Sequence, residues 1–145
     1  MPKVIFVNLP VADLSRSVAF YKAIGADQNL QFSDETAACM VLSDTIHVML
    51  LTHDKFRQFT PKRIADAHET SEVLICISCD SRAAVDEITE AALASGGREP
   101  REPQDHGFMY GRSFEDLDGH IWEPMFMDIA AAADAMGKQA EPADA

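Results

Sequence analysis

Glu123 stands inside the apolar run Ile121-Trp122-Glu123-Pro124-Met125-Phe126-Met127. A carboxylate in such a strand is costly to desolvate, so it requires a partner, a ligand or a metal. Few nearby groups qualify. His120 is three positions away, and on an extended chain an odd offset sends two side chains to opposite faces. Cys76 and Cys79 form a Cys-x-x-Cys spacing that can serve redox or metal chemistry. Cys76, however, lies in the strand-like run Val73-Leu74-Ile75-Cys76-Ile77-Ser78, where the same parity separates the two thiols; they read as buried structural cysteines. His106, in Gln104-Asp105-His106-Gly107, occupies a loop leading into a strand, a place from which side chains often contact ligands. His47 falls within a strand, and His53 and His68 within a connector.

The elements that must position these residues read as two copies of one plan. The first copy has a strand over 3–9, a helix capped by Asp13 and stopped at Gly25, and strands near 29–32, 37–42 and 46–52. The second has a strand over 72–78, then a helix over 82–95 capped by Asp80-Ser81 and ended by Gly96-Gly97. A strand near Arg98, a longer one over 108–114 and a last one over 121–127 complete it, with Asp116-Leu117-Asp118-Gly119 as the hairpin turn. Phe6 falls against Leu74 and Leu50 against Glu123, as in a structural duplication. The expectation is an α+β fold, a single domain over 1–128 with modules at about 3–52 and 72–128. The connector, 53–71, should form a short helix near 55–59 and break at Pro61. In the tail, 129–145, a helix is expected over 129–136 and disorder over 137–145, which has no apolar anchors.

The chain of 145 residues carries a net charge of −12, which argues against nucleic-acid partners because clustered cations are missing. No apolar run approaches the roughly 20 residues of a membrane span, so no membrane partner is expected. The opening Met-Pro-Lys-Val-Ile-Phe lacks the long apolar region of a signal peptide, and the expected location is cytoplasmic. Three cysteines, an odd number, do not suggest a disulfide framework.

The helix entry Asp13-Leu14-Ser15-Arg16-Ser17-Val18-Ala19-Phe20-Tyr21, the hairpin Asp116-Leu117-Asp118-Gly119-His120-Ile121-Trp122-Glu123 and the paired modules resemble the vicinal oxygen chelate superfamily of glyoxalases, bleomycin-resistance proteins and extradiol dioxygenases. The run from Tyr110 to His120 is similar to a bacterial branch labelled predicted lactoylglutathione lyase. The resemblance implies two βαβββ modules forming a curved mixed sheet around a concave cavity. It also implies a divalent metal with one ligand from each of four strands. Carried over, those positions are Phe6, Leu50, Leu74 and Glu123, of which only Glu123 can bind a metal. The expectation is therefore a small organic ligand without a metal cofactor, with a metal-dependent lyase or dioxygenase, or a purely structural or interaction domain, as alternatives. The family pattern turns Asn8 and Ser113 toward the cavity, so the candidate binding residues are Asn8, Ser113, Glu123 and His106. The same pattern turns Arg112 toward the helix side; a one-place register change would instead bring it across from Glu123 as a charge-assisted pair. Sheet edges and an apolar rim predict a homodimer.

Overall fold

The computed structural model describes residues 2–140. Its first module contains β1 (Ile5–Val11), α1 (Leu14–Ala23), β2 (Asp27–Asn29), β3 (Ala37–Val41) and β4 (Ile46–Thr52). The short α2 (His53–Arg57) begins the connector, its first turn capped by the Thr52 hydroxyl. The second module contains β5 (Ile75–Ser78), α3 (Arg82–Ala94), β6 (Gln104–Asp105), β7 (Met109–Gly111), β8 (Phe114–Glu115) and β9 (Ile121–Met127), and α4 (Ile129–Ala140) follows. One sheet has the order β1-β4-β3-β2; the other has β5-β9-β7-β6, with β8 also on β9. In each, the module's first strand lies parallel to its last, β1 on β4 and β5 on β9, and the remaining pairings are antiparallel. The duplicated α+β plan is thus present as two mixed sheets.

Local chemistry explains where the elements differ from expectation. The strand expected near 29–32 is a short β2 followed by a 3₁₀ turn over Leu30–Phe32, because the Asn29 side chain accepts from Gln31 N and captures the chain early. The strand expected over 108–114 is split into β7 and β8. The pairings Gly111 with Met125 and Phe114 with Trp122 share one register, and the gap falls beside Pro124, which has no N–H to give the ladder. β1 runs on through Pro10, tolerated because β1 is an edge strand. β6 has no counterpart among the expected strands, and near Arg98 there is only a single bridge to Glu115. The helix expected over 129–136 continues to Ala140, which replaces the expected disorder over 137–140; 141–145 lie outside the described residues.

The core joins both modules. Leu9, Val11, Phe20, Tyr21, Met40, Val48 and Leu50 from the first pack with Ala92, Phe114 and Trp122 from the second. Aromatic edges make much of the contact, with Phe20 against Phe114 and Tyr21 against Trp122 at ring separations of 6.2 and 6.0 Å. Fully buried Leu50 pairs with Leu9, so it belongs to the core face; the assignment of Leu50 to the cavity was one residue out of phase. The open face of β4 instead carries His47, Met49 and Leu51, across from Phe6, Asn8 and Pro10.

Candidate functional site

Glu123 and Ser113 come together as expected. The pairings on either side set Ser113 across from Glu123 in the β8–β9 hairpin. Cys76 flanks Glu123 on β5. Cys76 is exposed, which corrects its reading as a buried structural residue; Cys39 is the buried thiol. Its neighbourhood does not favour a thiolate, because desolvation first and the Glu123 charge second push the Cys76 thiol up. The Glu123 side chain keeps about a fifth of its surface in solvent and pairs with Arg101 at 3.1 Å. Ser113 is buried, and its hydroxyl has no hydrogen-bond partner among the described residues. Arg112 is not the partner of Glu123. It lies on the α3 side and bonds Asp86, Glu90 and Glu99 at 3.0, 2.6 and 2.9 Å.

Asn8 and His106 lie elsewhere. His106 is an exposed residue of the turn between β6 and β7, its N–H donating to Met109 O and its ring stacked beside Phe108. Asn8 borders a cleft of about 490 Å³ between the modules. Val7 to Pro10 of β1 form one wall, and Val73, Ile75 and Ile121 of the second module form the other. The connector covers it with Phe56, Lys62, Arg63 and Ile64, and His120 closes one end. β1 and β5 are both edge strands, so neither wall is covered by a further strand.

The hairpin turn holds His120 and the connector in place. The Asp116 carboxylate accepts from the backbone N–H of Asp118 and of His120, each at 2.9 Å, and from the Tyr21 hydroxyl at 2.6 Å. The same hydroxyl accepts from the Trp122 indole N–H at 3.0 Å. Burial holds the Asp116 carboxyl above the ordinary carboxylate range, opposed by the His120 charge and the Tyr21 hydrogen bond. Burial also pushes the Tyr21 phenol well up, with the Asp116 charge adding to it, which keeps the hydroxyl a donor. The His120 ring sits 2.8 Å from Pro10 O through Nε2. A carbonyl only accepts, so Nε2 carries the hydrogen and Nδ1 is left as the second ring position. Gly119, at φ +89°, lies under the connector: a Cβ there would come within 2.7 Å of the backbone at Ala67 and His68. The connector therefore rests on the turn through a contact that only glycine permits.

Sequence reasoning missed the part of this site built from the connector and His120. Neither Lys62 nor Arg63 stands out within the connector sequence, and the parity argument that set His120 apart from Glu123 gave no sign that it meets β1.

The chain belongs to the glyoxalase/bleomycin resistance protein/dioxygenase superfamily, whose family model matches residues 3–123. Nothing matches among curated proteins. Among solved structures it is similar to a hypothetical protein from S. aureus, with 28% identity, a TM-score of 0.72 and coverage of 87% of this chain and 95% of that one. It shares its fold with a glyoxalase/bleomycin resistance protein/dioxygenase family enzyme from Burkholderia phytofirmans PsJN, at 16% identity and TM-score 0.71, covering 87% and 99% of the two chains. A fosfomycin resistance protein from Mesorhizobium loti matches at 17% identity and TM-score 0.66, covering 91% and 98%.

The residues of one chain do not fit the divalent metal that this fold implies. At the corresponding positions Phe6 and Leu74 offer no lone pair, and the open face of β4 adds His47 and Met49 but no carboxylate. Phe6 and His47 are instead stacked on one another at 4.7 Å. Among the described residues, no group of three or more His, Cys, Asp or Glu could hold an ion. No helix among them is long and apolar enough to cross a membrane.

Proposed function

We propose that this protein binds a small organic molecule in the cleft between its modules, without a resident metal. The cleft itself is the observation that carries the reading. Its volume of about 490 Å³ lies in the range of small-molecule sites, and apolar Val7, Leu9, Pro10, Ile75 and Ile121 surround a few polar groups, among them Asn8 and His120. The poor fit of Phe6 and Leu74 to metal binding supports the metal-free part of the proposal. Ser113 and Glu123 are not in the lining of this cleft, and a second copy of the chain packs beside its two edge strands. The exposed Ile5, Phe6, Val73 and Leu74 at the starts of the two edge strands supply an apolar surface for that copy.

Thermal-shift and NMR titrations with a library of small aromatic and aliphatic compounds test the reading. Binding compounds should raise Tm and shift the amides of residues 7–9 and 119–121. Ser71→Trp, a change at an exposed lining position, should abolish the response while leaving the unliganded Tm in place. Responses confined to other parts of the chain, or equal in the variant, would overturn the proposal.

A further inference from the structure

The connector separates the cleft from a second one of about 730 Å³, and the two share Pro10, Thr60, Lys62, Arg63 and His120 in their linings. The charge around the second cleft is unlike that of the whole chain. The protein has 24 Asp and Glu against 12 Lys and Arg. Yet Arg57, Lys62 and Arg63 line this cleft, together with His53, His68 and His120.

The carboxylates lining the second cleft are Asp66 and Asp118, both hydrogen-bonded in local structure, and Glu72 lines the first. Asp66 accepts from His68 N at 2.9 Å. Asp118 accepts from Ala12 N at 2.8 Å and from the Ser17 hydroxyl at 3.3 Å, tying the turn to the start of α1. Arg57 is already paired with Asp54 at 2.7 Å. Lys62 and Arg63 make no ion pair among the described residues, although four other cations do. Cations that form no ion pair at the junction of two clefts suit an anion, and a guanidinium beside an ammonium fits a carboxylate or a phosphate.

We infer that the ligand is an organic anion: an apolar body in the cleft between the modules, carrying a carboxylate or phosphate held by Lys62 and Arg63. This rests on the small-molecule reading above and adds the ligand's charge to it. His120 forms the floor beneath the anion, its ring fixed by Pro10 O and its backbone by Asp116. Its Nδ1 is the ring position left to face the ligand, and it donates to an anion only when protonated.

Three probes of one shape provide the test: 4-phenylbutyrate, its neutral amide and phenylbutylamine, with phenyl phosphate as the second anion. Each is titrated by NMR into the full chain at low and moderate salt. The carboxylate or the phosphate should bind best, the amine worst, and added salt should weaken the anions alone. Which of the two anions binds more tightly distinguishes a carboxylate ligand from a phosphate ester. Lys62→Gln with Arg63→Gln, both at exposed positions, should weaken anion binding by about ten- to a hundredfold, the loss of charge-assisted hydrogen bonds, with little effect on the amide. If all probes bind equally and the double variant changes nothing, this inference fails while the cleft remains a binding site. If no probe shifts residues 7–9 or 119–121, it fails as well, and the small-molecule reading is then left to the wider library.

Discussion

Tyr21→Phe removes one oxygen from the only buried polar contact set that spans both modules among the described residues, and the cost can be worked from its two hydrogen bonds. Tyr21 is fully buried, donates to Asp116 at 2.6 Å and accepts from Trp122 Nε1 at 3.0 Å. Taking a hydrogen bond from a buried carboxylate costs about 1.5–3 kcal/mol, and leaving the indole N–H without a partner costs about 1–3 kcal/mol. Both losses come from one atom and are partly shared, so the expected destabilisation is about 3–4 kcal/mol. Urea unfolding should show it as a lower midpoint at unchanged slope. The penalty should also depend on pH. Burial raises the folded-state pKa of Asp116, so the stability linked to this group is complete below the ordinary carboxylate range and is lost as pH rises through the folded value. Without the Tyr21 donor that value rises further, so the gap between variant and wild type should narrow in acid. A destabilisation below about 1 kcal/mol at neutral pH would refute the assignment of these bonds. A gap of constant size at all pH would refute the role given to the carboxylate.

Arg112→Met should cost about 1–3 kcal/mol, since it leaves three acidic side chains without their cation, whereas Glu123→Gln should cost less than about 1 kcal/mol because its partner Arg101 is more than half exposed. The double variant should be additive within about 0.5 kcal/mol, and strong coupling in denaturant melts would restore a direct Arg112–Glu123 pair. The Tyr110 hydroxyl and then Arg112 hold the Asp86 carboxyl below its ordinary range, so its stabilising contribution is present above that range and is lost as pH falls through the folded value. Asp86→Asn should therefore flatten the acid limb of the stability profile, and an unchanged limb would count against this. Sedimentation should show a dimer that Leu74→Glu converts to monomer, since Leu74 is 56% exposed just before the edge strand β5; a monomeric wild type would remove the dimer from the account.

The duplicated plan was legible because it rests on local signals: the Asp13 and Ser81 caps, the stop at Gly25 and alternating apolar strands. Faces were harder. Leu50 and Glu123 are matched by counting along the two copies, but the sheets place Leu50 beside Leu9 in the core, and buried Pro124, across from Ile77, is the residue that plays that part in the second module. An error of one residue reverses a face, and nothing in the sequence fixes parity across two modules. The split between β7 and β8 was readable in principle from Pro124, whose missing N–H needs no tertiary context. His120 was not readable. Its contact with Pro10 O joins residues 110 positions apart, and only the packing of the two modules brings them together.

The hairpin that carries Glu123 divides its work between two faces. Asp116 and Trp122 point into the core and fasten it to Tyr21. On the other side, His120 meets β1 and Gly119 carries the connector. A change at the turn is therefore felt at once by the core, the cleft and the strap above it. Gly119 is the sharpest case. A methyl there meets backbone, not a side chain that could swing aside, so the connector itself must lift. Since that connector brings Lys62 and Arg63 to the cleft, the seat of the two cations above His120 depends on a residue with no side chain of its own.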